Sequence, residues 1–496
     1  MWRACGQVLV LTLALSYPME LSAGGAELQT VPSNGHVTTP NEREHSTVEV
    51  NEILAVLALS KEDQMKKVPW ILQISKIQNH EAQFASAWVL GRIKLDSRDV
   101  NKVVDRLLQN LFVENEWIRG QSATSLGLVS EGHTSSISTS RKDEGRDSLL
   151  KLARHPNPWL RERAILALLP WHNQPSVQEA LSNGFRDIVP IVRDTSIRAG
   201  LDVNSYLPEA ATDEDPGVRY LAVHGIRRMD SSQDSQKHLL VERLRDPYDP
   251  VVAEALHELT AMGDPKMVQP ILDVLNLGWR NVVQAAIQTL TGKTLEEVIS
   301  QTNWKPSRPY ERNAPVKMRS RPEVQEIVHG ALSGDHNEKL ANVAQLTWVD
   351  TPEAHRTLSQ SLNDSDPFVR FITLKTILRR ITIGMNASVP NEFLEPLIRS
   401  LNDPNFHVTA CAAEVWGHLL GLRDGNLDRA VQIRVLPQLH HIAAHHSNGF
   451  VRAAASEALV RAESRNRLFW EKQLEDPFME VRELAQTALA NMYRSK

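Results

Sequence analysis

Small and apolar residues recur along this chain at one helical spacing. From Val369 they follow at +3, +4, +7 and +8 as Ile372, Thr373, Thr376 and Ile377, and from Val481 as Leu484, Ala485, Ala488 and Leu489. Val451, Val218 and Val408 start the same spacing, and looser copies start at Ala82, Ile118, Leu160, Val192, Val252, Val282 and Leu340. These offsets line one face of an α-helix. Between the anchored segments run second periodic stretches, such as HRTLSQSL (355–362) and FLEPLIRSL (393–401). Two helices therefore repeat in roughly 30 to 40 residues, and one such pair cannot bury its own apolar face, whereas stacked pairs can. The pattern predicts an all-α chain, a right-handed α-solenoid of about twelve stacked helical hairpins.

The residue three before each anchor was not selected by hydrophobicity, so it tests the pattern. There stand Asn79, Asn115, Asn157, Asp215, Asp249, Asn337, Asp366, Asn405 and Asn448, nine of twelve positions. Such side chains accept bonds from the free N–H groups of a helix start, for about 1 kcal/mol each. Pro158, Pro216, Pro250 and Pro367 follow directly, where a missing N–H costs nothing. Five before the anchors come Asp187, Asp213, Asp335, Asp364, Asp403 and Asp476. One after them come Arg119, Arg161, Arg193, Arg219, Arg370, Arg452 and Arg482. The two columns predict Asp–Arg pairs within or between layers, worth about 0–1 kcal/mol each if exposed.

On these columns the chain resembles the HEAT-repeat (armadillo-like) family, especially the short bacterial type similar to the repeats of phycobilin lyases. DSDPFVR (364–370), DEDPGVR (213–219) and EDPFMEVR (475–482) carry the resemblance best. It extends over about Val50 to Tyr493 and implies a solenoid fold and a binding role. HEAT-like deoxyhypusine hydroxylases are similar in fold and hold a di-iron centre through four His-Glu pairs. Only His80-Glu81 and His257-Glu258 stand here, at different offsets from their anchors, so that centre does not carry over.

At 42% hydrophobic and 23% charged residues, the composition is that of a folded chain. A net charge of −5 over 496 residues argues against general nucleic-acid binding, which needs a basic face. The N-terminus reads as a signal peptide over 1–23: Arg3, an apolar run from Val8 to Leu15, then Ser22 and Ala23. An uncleaved anchor is the competing reading, but eight apolar residues fall short of the about 20 that cross a bilayer. The expected location is periplasmic or extracellular. Cleavage would leave Cys411 alone and exclude an intrachain disulfide. The remaining expected division is a flexible linker at 24–46, an N-terminal repeat lobe at 47–299, an insertion at 300–322 and a C-terminal repeat lobe at 323–496.

The insertion holds Pro and Arg without apolar periodicity, with Trp304, Arg308, Tyr310 and Arg312 as candidate partner-binding residues. It reads either as a linker between lobes or as a basic, aromatic loop that grips an acidic or glycan-like partner. A second, Ser-rich stretch at 130–147 reads as a mobile loop. HHIAAHH (440–446) puts His441 and His445 four apart, as zinc ligands stand, but His446 and His155 fall in the Asp column, which suits a structural turn. Trp171, Trp279, Trp348 and Trp416 read as core. No phosphate-binding loop, nucleophile elbow or dinucleotide fingerprint occurs. The expectation is an exported, non-enzymatic scaffold for a protein partner, without cofactor, metal, nucleic acid or a membrane span after cleavage. The alternative is a metal-dependent enzyme or a lyase-like accessory of a cofactor protein.

Overall fold

The structure is a computed structural model that describes residues 50–494, apart from 201–202, 228–231, 278, 303, 305–320, 383–389, 423–426 and 428. Those residues form 26 α-helices and short 3-10 turns, with no strand among them. The chain divides into two compact units: Met1–Lys142 with Pro477–Met479, and Asp143–Asp476 with Glu480–Lys496. In the first unit the Phe478 ring meets the Trp88 indole edge-on at 6.0 Å. Helices precede and follow the 300–322 insertion within the second unit.

Every anchor lies in the first five residues of a helix. These anchored helices are α1 (His80–Leu90), α2 (Glu116–Gly132), α3 (Pro158–Ala167), α4 (Pro190–Arg198), α5 (Pro216–Ile226) and α6 (Asp249–Ala261). They continue as α7 (Arg280–Thr291), α8 (His336–Gln345), α9 (Pro367–Thr382), α10 (Phe406–Gly421), α11 (Gly449–Arg461) and α12 (Met479–Arg494). The predicted second helices stand between them, for example Pro352–Ser361 and Asn391–Ser400. The fold is an α-solenoid.

Seven of the nine expected caps are present. Asn79, Asn115, Asn157, Asp215, Asn405 and Asn448 accept backbone N–H groups of the first turn, and Asp366 accepts the Phe368 N–H at 2.8 Å. The other two fail for a local reason: their helices start earlier. Asp335 forms a reciprocal capping box with Glu338 and takes the position expected for Asn337. In α6 the chain enters at Tyr248, so Asp249 becomes the first helical residue.

Five of the seven column arginines form one repeated device; Arg119 instead gives Nε and Nη2 to the Val113 carbonyl, and Arg482 gives Nη1 to the Asp476 carbonyl. Arg161, Arg193, Arg219, Arg370 and Arg452 each donate Nη1 to backbone carbonyls five and six residues upstream, in the turn entering the same helix. With Nε and Nη2 each grips an Asp of the next layer, respectively Asp187, Asp213, Asp246, Asp403 and Asp476, at 2.6–2.9 Å. Asp187, Asp213, Asp246 and Asp403 in turn accept the N–H two residues on. These pairs are not the exposed ones expected: the Arg219 and Asp246 side chains are each 1% exposed. Asp246 escaped the sequence column because it stands six, not five, before Val252.

Two further expectations change. The Ser-rich stretch is not a loop: α2 runs to Gly132 and a helix covers Thr139–Leu152, with Gly145, Leu149 and Leu152 buried on one face. Of the four tryptophans, Trp171 and Trp416 are core, Trp279 is half-buried, and the Trp348 side chain lies outside the described residues.

Arg219→Ala strands Asp246 in the interior without its counter-charge, and should lower the unfolding free energy by about 3–5 kcal/mol, read from urea denaturation. Arg98→Ala, which removes a well-exposed partner of Asp96, should leave the same midpoint unchanged.

Candidate functional site

Around α9–α11 the two helix rows of the second unit differ in what they leave to solvent. In α10 eleven of 16 residues are buried and in α11 ten of 13, against five of 17 in the intervening helix Arg429–His445. A helix buried around most of its circumference needs neighbours on several sides. Close approach supplies one of them: a Cβ on Gly417 would lie 2.7 Å from the Ala458 backbone of α11.

For α9 the further neighbours are distant in sequence. Arg379 donates to Asp194 of α4 at 2.8 Å and to Asp215, the cap of α5, at 2.7 Å. These partners lie 185 and 164 residues away. Trp159 of α3 meets Phe368 and Phe371 of α9 edge-on at 5.5 and 6.4 Å. The clasp is nearly closed to solvent, with Arg379 14% exposed, Asp194 3% and Asp215 0%. Gly217 makes room for it, since a Cβ there would stand 2.6 Å from Arg379 Nη2. Burial pushes the Asp194 carboxyl up, but Arg198 and Arg379 outweigh it and hold it below its ordinary 3.8.

Along α9–α11 runs a second polar group. Lys375 reaches Glu414 at 2.9 Å, and Arg461 reaches Glu457 at 2.8 Å. Burial opposes the Lys375 charge, yet Glu414 outweighs it and keeps the ammonium protonated. Burial pushes the Glu457 carboxyl up despite Arg461. It pushes the Cys411 thiol up to about 12, and burial together with Arg461 takes His418 down to about 4. Near neutral pH the thiol is therefore protonated and a poor nucleophile. His418 is neutral, its Nε2 buried and unpaired. The arrangement is a charge network between layers rather than a base activating a nucleophile.

The residues singled out in the sequence are placed as follows. Trp304 donates its indole N–H to Asp273 at 3.2 Å, while Arg308, Tyr310 and Arg312 lie outside the described residues. His441 and His445 are exposed, with ring centroids 5.0 Å apart. His155 and His446 occupy the Asp column as structural acceptors, each taking by Nδ1 the N–H two residues on, at 3.1 Å. His80 sits in the first unit and His257 in the second.

One cluster of metal-ligating side chains went unnoticed in the sequence. His224 of α5 and Glu254 and Glu258 of α6 bring one ligand atom each within 4.8 Å of one another. His224 Nδ1 is 2.7 Å from Glu254 and 3.9 Å from Glu258, and Arg227 Nε is 2.7 Å from Glu258. The spacing of Glu254 and Glu258, four apart on one helix, was the available signal. The partner 30 residues upstream is visible only once α5 and α6 are in register.

Replacing Arg379 by Ala should cost about 3–5 kcal/mol, because two buried carboxylates lose a cation. The Asp194 pKa is lowered, so its contribution is present above the unfolded carboxylate value and lost as pH falls through the folded one. Wild-type stability should thus decline in acid, below about pH 5. Arg379→Ala should start lower and decline less, measured as urea midpoints from pH 7 to 3. The Cys411 thiol should resist iodoacetamide at pH 8 in the folded chain and react once denatured, read by mass spectrometry of its peptide.

Residues 202–291 match the family model described as HEAT repeats, and residues 173–197 match one described as HEAT repeat associated with sister chromatid cohesion. No curated protein matches the chain. Among solved structures it is similar to Kap95p, studied for its binding of RanGDP, at 14% identity and TM-score 0.38, over 88% of this chain and 64% of that one. It is also similar to Kap121p, at 16% identity and TM-score 0.34, over 86% and 49%. A third is the Kap95:Nup1 complex, at 13% identity and TM-score 0.35, over 90% and 67%. The chain spans about half to two thirds of the length of these relatives. Residues 173–197 and 202–291 thus match HEAT repeats, and the helices on either side carry the same punctuation.

Proposed function

We propose that the chain is an exported, non-catalytic scaffold that binds another protein along the row of second helices. The observation that carries this reading is the unequal burial of the two rows. Helices α9–α11 are occupied mostly by their own neighbours, whereas the second helix Arg429–His445 keeps a broad solvent-facing side. On that side Ile433 is 66% exposed and Leu468, on the next second helix, 74%. The two helices touch through His440 and Phe469, whose rings are 4.6 Å apart. A surface already ordered by inter-layer ion pairs loses little freedom on binding, and exposed apolar side chains supply the desolvation that favours association. Export rests on the Val8–Leu15 run with its flanking Arg3 and small residues. The non-catalytic reading is supported in α10, where the protonated Cys411 thiol and the buried His418 supply no activated nucleophile.

Photo-crosslinking residues placed at positions 433 and 468 of the full chain, expressed in its native cell, test the binding face. One protein adduct common to both positions is expected, and Ile433→Glu should abolish the adduct formed from 468. Crosslinks absent from both positions would overturn the assignment of the face. N-terminal sequencing of the cellular protein should show a start near Gly24; a start at Met1 would remove the export.

A further inference from the structure

We propose that His224, Glu254 and Glu258 form a binding site for one divalent transition-metal ion between α5 and α6. The donor set is one imidazole and two carboxylates, the mixture that suits zinc and its first-row neighbours. The spacing is close to what an ion needs. Donors about 2.0–2.2 Å from a tetrahedral ion lie about 3.4 Å apart. The His224 Nδ1 distances of 2.7 and 3.9 Å to the two glutamates fall on either side of that separation.

Glu258 supplies the second observation. Its side chain is 2% exposed; Oε1 lies 3.9 Å from His224 Nδ1, while Oε2, which faces Arg227, is closed off from water without an aligned hydrogen bond. A buried carboxylate left this way is costly unless a cation compensates it. The cation beside it is Arg227, whose Nε lies 2.7 Å away without hydrogen-bond alignment and whose side chain is half exposed. Arg227 can swing into solvent, whereas Glu254 and Glu258 are fixed on adjacent turns of α6. A divalent ion replaces one displaceable positive charge by two and adds the imidazole as a ligand. Three protein ligands leave a fourth position open on the exposed His224 side.

The pairing is specific to this layer. It joins His224, six after Val218, to glutamates two and six after Val252; Glu recurs at these offsets, as Glu162 and Glu483 and as Glu414 and Glu457, but of the twelve anchors only Val218 has a histidine at +6. This places a site on the solenoid independently of which face meets the partner protein.

The test is zinc titration of metal-stripped full-length chain by calorimetry, with zinc K-edge absorption on the loaded protein. One ion per chain is expected, with nitrogen and oxygen ligands and a single imidazole. His224→Gln and Glu254→Gln, at positions that are not deeply buried, should each weaken binding by more than about tenfold. Each variant should keep the wild-type metal-free denaturation midpoint. Arg227→Gln should tighten binding, because the competing guanidinium is gone. The proposal is overturned by wild-type chain that takes up no stoichiometric zinc. It is equally overturned by binding that survives His224→Gln with Glu254→Gln, or that disappears only in His441→Ala with His445→Ala.

Discussion

A helix pair that must stack on the next pair leaves the same groups exposed every time: the carbonyls of the turn that enters the anchored helix. In five layers of this chain those carbonyls are met by an arginine one residue after the anchor, whose planar fork serves two layers at once. Nη1 faces its own turn, while Nε and Nη2 hold a carboxylate of the next. A lysine could not do this, because a single ammonium has no fixed pair of parallel donors. The carboxylate then accepts an N–H of its own turn, so each contact fixes both the ending of one connection and the start of the following helix. Apolar burial makes the layers stack; the fork decides at which register they do so.

Register has consequences deep in the second unit. Successive anchored helices are brought close enough that small residues such as Ala453, Ala454 and Ala455 are buried around most of α11. Charged side chains on such helices lose much of their contact with water and find partners across layers, as Lys375 does in Glu414 and Arg379 in Asp194 and Asp215. Replacing such ions by apolar residues of similar volume is often neutral for stability, so their presence is better understood as orientation. Arg379 can satisfy Asp194 and Asp215 together in only one mutual placement of α4, α5 and α9. Around α9–α11 it is the second helix Arg429–His445 that keeps the broader solvent-facing side.

Much of this was legible in the sequence because it is local or strictly periodic. Asn448 caps α11 from three residues before Val451, and the Arg452 column repeats at a fixed offset, so both could be seen without a fold. The signal weakened where one residue shifted. Asp246 does the work of the Asp column from a neighbouring position, and Asp335 displaces Asn337 because Glu338 completes a capping box. Composition misled at 139–152, where serines and charges conceal Gly145, Leu149 and Leu152 at helical spacing. What the sequence could not show were contacts set by coiling. Arg379 meets carboxylates more than 160 residues away, and His224 meets Glu254 only through the registered packing of α5 on α6.

That last contact bears on how a repeat array acquires individuality. The fork of Arg219 and Asp246 already fixes α5 to α6 at their N-terminal ends. His224, Glu254 and Glu258 lie further along the same two helices, beyond the Arg–Asp fork, and the histidine has no counterpart at its offset in the other anchored helices. Positions of this kind are free to diverge without disturbing the stacking, since the layer is held elsewhere. An ion at that place would tighten a joint that is formed without it, and would leave the register untouched. The same logic applies to Ile433 and Leu468 on the second row. Side chains that do not maintain the lattice are the ones that can be given to a ligand or a partner, and the lattice supplies them with fixed positions.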